Sequence, residues 1–100
     1  MPLVHVALQE GFLGDTVSVR VNGAEVARRA NVSTKNQIGF AEAIELDVPE
    51  GEMRLELRLE NRSLAETIVM RVEGNAHIGV SIDRAGQIEC TQSQEPFRYL

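Results

Sequence analysis

Apolar and polar residues alternate along most of the chain, and turn-forming residues separate one alternating run from the next. In the clearest run, from Glu52 to Leu59, the apolar side chains fall on one face and the charged side chains on the other. A period of two is typical of a β-strand with one face in a core and one in water. Several such runs, spaced about ten residues apart, predict an antiparallel β-sandwich.

Turn signals divide these runs into seven to eight predicted strands. Asn22-Gly23 tolerates the positive φ angles of a type I′ hairpin turn, and Pro49-Glu50-Gly51 combines a preset φ with a permissive glycine. The pattern also predicts a short return strand at 24–27, a long loop at 28–36, and strands at 38–48, 66–72 and 87–91. The residues predicted to face the core are Val17, Val19 and Val21; Ile44, Leu46 and Val48; Met53, Leu55, Leu57 and Leu59; and Ile78, Val80 and Ile82.

Composition agrees with a single folded domain. The chain has 100 residues, of which 43% are hydrophobic and 25% charged. This length suits one core, and the hydrophobic content is too high for a disordered chain of this charge. We therefore predict one all-β sandwich domain over residues 1–100, of immunoglobulin-like or transthyretin-like type, with an aromatic tail at 96–100.

The order of features from Val17 to Leu59 resembles the carboxypeptidase-regulatory-like and transthyretin-like β-sandwich modules. It comprises an apolar strand, the Asn22-Gly23 turn, a polar loop with Thr34, then Gly39, and finally the Pro49-Glu50-Gly51 turn before a strand of alternating leucines. Met53 stands where these modules usually carry an aromatic residue after the turn. The resemblance implies an accessory or interaction domain without catalytic activity, and it assigns no site residue.

Charge and terminal sequence exclude several function classes. The formal net charge is −5, with dispersed acidic residues that would repel a phosphate backbone, so no nucleic-acid partner is expected. The N-terminus has no basic region followed by an apolar stretch, and no window has the roughly 18 apolar residues that a membrane span requires. We expect a cytoplasmic protein with no membrane partner.

The residues capable of chemistry form no recognised catalytic or metal-binding motif. His5 and His77 lie on the outward phase of their strands, and would meet if the first strand paired with a late one; Asp83 or Glu89 would then be the nearest candidate for a third metal ligand. Two histidines at unrelated positions lack metal-ligand spacing. Cys90 is the only cysteine and is predicted to face inward as a small hydrophobe. We predict no enzyme activity, no metal site and no cofactor.

Two segments remain as candidate interaction sites. The loop at 30–37 is rich in neutral hydrogen-bonding side chains and carries the only lysine of the chain, and loops on a rigid scaffold are where binding residues concentrate. The C-terminal tail is aromatic and apolar, so it should either fold back on its own sandwich or dock on another chain. The predicted interaction residues are Ser33, Thr34, Lys35, Asn36, Phe97, Arg98, Tyr99 and Leu100.

These features favour a non-catalytic, structural or interaction module that binds a protein partner or associates with itself. A sandwich has edge strands, and an unprotected edge can recruit another strand. The alternative is a domain that binds a small ligand or carbohydrate through the 30–37 loop with an exposed ring, Phe40 or Tyr99.

Overall fold

Eight β-strands and one short 3-10 helix form the part of the chain that the computed structural model describes, namely residues 2–35, 37–95 and 97. Among these residues, no helix has the length and apolar character needed to cross a membrane. The strands are β1 (Leu3–Leu8), β2 (Asp15–Val21), β3 (Ala24–Val32), β4 (Glu42–Asp47), β5 (Gly51–Leu59), β6 (Leu64–Val72), β7 (Ala76–Ile82) and β8 (Ile88–Ser93), and the 3-10 helix is Glu60–Arg62.

The strands form two four-stranded sheets that pack face to face. Sheet A has the order β4-β1-β7-β8, and sheet B has the order β3-β2-β5-β6. This arrangement confirms the predicted β-sandwich and its upper strand count. Of the six strand pairs formed by the described residues, five are antiparallel, whereas β1 and β7 run parallel. The predicted antiparallel sandwich is thus confirmed apart from the parallel β1–β7 pair, which alternation does not indicate because it reports which face of a strand is buried and not the direction of its neighbour.

The core lies between the sheets and is made of the inward side chains that alternation predicted. Every residue of the four predicted inward sets is buried, and the first strand adds Val4, Val6 and Leu8. Met53, Leu55, Leu57 and Leu59 of β5 are almost completely enclosed. Burial of apolar area is the main favourable contribution to folding, so these central strands hold the two sheets together.

The largest error of the sequence prediction concerns β3. The predicted short strand at 24–27 extends to Val32, so most of the predicted loop at 28–36 is strand. The backbone of Arg28 and Arg29 pairs with Ser18 and Val17 of β2. Most β3 side chains are nonetheless exposed, because the strand lies at the edge of its sheet. A strand solvated on both faces carries no alternation, which is why its pattern resembles a loop.

Smaller differences concern strand ends. The strand predicted at 38–48 begins only at Glu42, because Ile38 and Gly39 belong to a turn in which both amides donate to the Lys35 carbonyl. Gly39 has φ +66°, which glycine adopts at little cost. β6 begins two residues earlier than predicted, and the last strand is displaced to Ile88–Ser93.

The predicted Asn22-Gly23 hairpin turn is confirmed. Asn22 has φ 51° and Gly23 has φ 90°, and positive φ at both central residues is what a type I′ turn requires. The Asn22 side-chain carbonyl also accepts a hydrogen bond from the Arg54 amide at 3.0 Å. This turn joins the central strand β2 to the edge strand β3.

Candidate interaction surfaces

The hydroxyl groups of the predicted binding loop hold a neighbouring loop in place. Thr34 Oγ1 donates to the Gln9 carbonyl at 2.6 Å and accepts from the Phe12 amide at 3.0 Å. Ser33 Oγ accepts from the Gly14 amide at 2.8 Å. Both side chains therefore satisfy backbone groups of the β1–β2 connection.

The rest of the 30–37 segment divides between strand and turn. Ala30, Asn31 and Val32 belong to β3. Lys35 is exposed and forms an isolated backbone bridge with Phe40, which is only half exposed. Asn36 lies outside the described residues. The structure thus brings Ser33 and Thr34 together with the β1–β2 connection and leaves the Lys35 side chain at the surface.

The β1–β2 connection presents an exposed leucine that sequence reasoning missed. Leu13 is 81% exposed, while its neighbour Phe12 is buried in the core. Gly11 and Gly14 flank the pair, both with positive φ, and a side chain at Gly11 would collide with the Ile82 carbonyl. The sequence did contain one signal for this exposed connection, namely the two glycines. They mark a segment whose backbone must turn sharply on both sides of Phe12 and Leu13.

A buried ion pair holds the C-terminal end of this connection in place. Asp15 is completely enclosed and accepts hydrogen bonds from Arg62 Nε at 2.8 Å and from Arg62 Nη2 at 2.9 Å. It also accepts from the Leu13 amide and from Asn61 Nδ2. Burial by itself would raise the pKa of Asp15, but the hydrogen bonds from Arg62, Leu13 and Asn61 outweigh burial and hold the pKa below its ordinary value. The pair is structural, since it ties the 3-10 helix to the start of β2.

The two histidines meet on the outer face of sheet A, as the pairing of the first strand with a late strand implied. His5 and His77 are opposite each other in β1 and β7, with ring centroids 4.6 Å apart and planes inclined by 11°. Glu45, rather than Asp83 or Glu89, approaches the pair, with its Oε2 3.4 Å from His5 Nδ1. Burial, followed by the nearby His5, lowers the pKa of His77. Within the described residues, no group of three or more His, Cys, Asp or Glu side chains is placed to hold a metal ion.

Cys90 lies on the inward face of β8, as predicted, and packs against the core. Burial, with a smaller contribution from Glu66, raises the pKa of its thiol to about 11. A thiol with such a pKa carries almost no thiolate at neutral pH, and the thiolate is the nucleophilic form. The environment of Cys90 is thus that of a packing residue.

The outer face of sheet B is covered by paired charges. Arg28 contacts both Glu25 and Glu60, and Glu56 contacts both Arg20 and Arg58. Exposed ion pairs of this kind each contribute only about 0–1 kcal/mol. Each of these charges lies within 3.8 Å of an opposite charge, so this face offers an incoming partner mostly charges that already have a neighbour of opposite sign.

The two edges of sheet B differ in regularity. β3 follows β2 with two register shifts, and one of them leaves Val26 as an extra residue between Glu25 and Ala27. β6 follows β5 over nine residues from Leu64 to Val72 without any shift. In the described part of the chain β6 has no strand neighbour on its other side. β6 therefore presents an uninterrupted row of backbone groups at the edge of the sheet.

Of the four interaction residues predicted at the C-terminus, the structure describes only Phe97. Phe97 is half buried, whereas Arg98, Tyr99 and Leu100 lie outside the described residues. Whether the tail folds back or docks on another chain stays a prediction.

Comparison of the chain with protein-family models, with curated proteins and with solved structures finds no match. The resemblance to carboxypeptidase-regulatory-like and transthyretin-like modules therefore also stays a prediction.

Proposed function

We propose that this domain is a non-catalytic interaction module that associates with a second copy of itself through the free edge of β6. The observation that carries the proposal is the unbroken nine-residue register of β6 with β5, next to an edge without a neighbour among the described strands. Regular, exposed edges are templates for strand addition unless a bulge or charge protects them. β6 lacks the bulge that interrupts β3.

Charge favours β6 over the other edges for pairing with itself. β6 carries one acid, Glu66, and one base, Arg71, near opposite ends. Like charges placed directly opposite each other destabilise a strand pair. The other edge strands are less suitable: β4 holds Glu42, Glu45 and Asp47, β3 holds Glu25, Arg28 and Arg29, and β8 is shorter and holds Glu89.

An antiparallel pair centred on Ile68 places every charge opposite a neutral residue. Two copies related by a twofold axis at this residue set Glu66 against Met70, Ala65 against Arg71 and Thr67 against Val69. Symmetric pairing through one shared surface is the commonest way in which identical chains assemble. The composition of β6 is therefore compatible with itself in this register.

Apolar surface on β6 adds to this argument. Val69 is 53% exposed on the outer face, and Ile68 and Met70 are only partly buried on the inner face. A strand added along β6 would cover part of all three side chains. Removal of apolar area from water stabilises such contacts.

The ligand-binding alternative has less support from the described contacts. The Ser33 and Thr34 hydroxyls already hold backbone groups of the β1–β2 connection. A ligand would have to replace these hydrogen bonds rather than find open donors and acceptors. Phe40 is half-buried, so only part of its ring is open to a stacked ligand.

The experiment measures the dimer dissociation constant by sedimentation equilibrium. Thr67→Lys combined with Val69→Lys brings lysines opposite one another in the proposed pair, and we expect the dissociation constant to rise by about tenfold or more. The variant that combines Thr67→Glu with Val69→Glu should, when measured alone, raise the dissociation constant to a similar extent. Mixing the lysine and glutamate variants should restore association, because position 67 of one copy faces position 69 of the other.

The matched control places two lysines on the other edge, with Ala24→Lys and Ala30→Lys in β3. Both positions are exposed, so the fold should be retained and the dissociation constant unchanged. A wild-type chain that stays monomeric at the highest soluble concentration would refute the proposal. An equal loss of association in the β3 variant, or no recovery on mixing, would also refute it.

A further inference from the structure

On the opposite side of the sandwich, a cleft of about 440 Å³ opens between the edges of β3 and β4. Its lining includes the buried core residues Val21, Leu46 and Val48, together with Pro49. The volume is within the range of about 300–1,000 Å³ that is usual for binding sites. Core residues thus form part of the lining of an opening that the polar residues Asn22, Glu45 and Asp47 also line.

The register shift in β3 forms one wall of this cleft. Val26 is the extra residue between Glu25 and Ala27, and it is 49% exposed. β-Bulges often redirect a side chain next to a functional site. Here the bulge places an apolar side chain at the mouth of the opening.

The free edge of β4 forms the other wall. Three successive residues of β4, Glu45 to Asp47, line the cleft, and Val48 and Pro49 continue the lining beyond the end of the strand. Successive residues of a strand point to opposite faces, so a cleft lined by three of them in a row runs along the edge of the strand. Among the described residues β4 pairs only with β1, and its second row of backbone groups faces this opening.

The charge along the cleft is negative. Glu45 and Asp47 are both exposed there, and the cleft has no basic lining residue in the described part of the chain. Arg29 lies toward the far end of β4, where its Nε is 3.5 Å from Glu42 Oε2, and the basic group beside the lining is His5, whose Nδ1 is 3.4 Å from Glu45 Oε2. An occupant with positive charges would therefore meet two carboxylates with no competing arginine or lysine on the lining.

We propose that this cleft binds an extended, basic segment of a partner protein, which adds as a strand to β4. An apolar side chain of the segment enters the opening between Val26 and Leu46, and flanking lysine or arginine side chains contact Glu45 and Asp47. Backbone hydrogen bonds supply affinity in strand addition, and pockets for alternate side chains supply specificity. This surface and this partner are distinct from the β6 edge and do not depend on self-association.

Binding of a fluorescent peptide in which lysine and valine alternate tests the proposal by anisotropy. Glu45→Gln combined with Asp47→Asn should weaken binding by about tenfold. Val26→Ser, at an exposed position, should also weaken it. The matched control Glu89→Gln with Glu95→Gln removes the same number of charges from the β8 region and should bind like the wild type.

Amide resonances of residues 45–48 should shift on titration with this peptide. Equal weakening in the control variant would overturn the proposal in favour of diffuse attraction to an acidic chain. Absence of binding, or resonance changes confined to another surface, would overturn it too. The β4 variants should leave the dimer dissociation constant unchanged, so failure here is distinguishable from failure at the β6 edge.

Discussion

The two edges of sheet B are built from strands of equal length but opposite character. β3 and β6 each have nine residues. β3 is interrupted by two register shifts and carries Arg28 and Arg29, whereas β6 is regular and nearly neutral. Bulges and charges are devices by which proteins protect sheet edges from unwanted pairing. Protection against strand addition is thus selective within one sheet: β3 has it, and β6 lacks it.

Both edges depend on the same central strands. β2 supports β3, β5 supports β6, and β2 pairs with β5 in between. The stability of the centre can therefore be separated from the properties of the edges by substitutions in different places.

Truncation of a central leucine should destabilise both edges together. Leu57 of β5 is fully buried beside Val19 of β2. Leu57→Ala should lower the free energy of unfolding by about 2–5 kcal/mol, because it removes apolar contacts and leaves a cavity. Urea denaturation checks this value. Thr91→Ala in β8, away from the proposed β6 contact, is the exposed control and is expected to stay within about 0.5 kcal/mol of the wild type; similar losses in both variants would contradict the assigned inward face.

Loss of the buried ion pair should have the next largest effect. Asp15 begins β2, and Arg62 ends the 3-10 helix that leads into β6, so the pair connects the two halves of the sheet. Asp15→Asn should lower the free energy of unfolding by about 1.5–3 kcal/mol, since it removes charge-assisted hydrogen bonds. The exposed Asp47→Asn serves as the control in the same denaturation assay.

The acid dependence provides a second measurement on Asp15. Its pKa lies below the ordinary value of 3.8 when the protein is folded. The stabilisation is therefore fully present above the unfolded pKa and is lost as pH falls through the lower folded pKa. Stability should decrease less steeply in this range for Asp15→Asn than for the wild type. Identical acid limbs in the two proteins would contradict the role assigned to Asp15.

How much of this architecture was predictable depended on the kind of signal each residue carries. Alternation identified Leu57 and the other central core residues because one side of each strand is buried. It also placed His5 and His77 on the outward phase of their strands, where they would meet if the first strand paired with a late one. Residues 28–32 of β3 were wrongly predicted as loop because an edge strand with most side chains exposed shows no alternation.

The ion pair was unpredictable for a different reason. Asp15 and Arg62 are 47 residues apart in sequence, and no local pattern links them. The same holds for the cleft, since Val26 meets β4 only after both sheets have packed. Contacts set by tertiary packing leave little trace in a single sequence.

The hairpin turn allows the β3 edge to be weakened alone. Gly23 has φ 90°, and a residue with a Cβ costs roughly 1–2 kcal/mol in the left-handed region. Gly23→Ala should lower stability by about this amount and accelerate amide exchange in β3 more than in β6. Gly74→Ala is the control, because Gly74 lacks a positive φ and has open space around it. Equal acceleration in β3 and β6 would mean that the two edges are not independent.

The smallest predicted effect comes from the histidine pair, which lies in the other sheet and leaves both edges unchanged. Burial and the neighbouring His5 hold the pKa of His77 below its ordinary value of 6.5. The unfolded chain therefore takes up a proton at His77 more readily than the folded protein. The free energy of unfolding is accordingly unaffected by this group above about pH 6.5, and it decreases as pH falls through the lower folded pKa. His77→Gln should flatten this decline in urea denaturation series between about pH 8 and about pH 5.

The variant His5→Gln separates the two causes of this shift. It removes the neighbouring charge but keeps the burial of His77, and burial is the larger cause. The decline should therefore persist in reduced form, and its complete disappearance would show that repulsion between the rings dominates instead. Because the described strands of sheet B contain no histidine, self-association through β6 should change little over the same pH range. A dimer that dissociates on acidification would place the interface on the histidine face of sheet A and so remove β6 from the proposal.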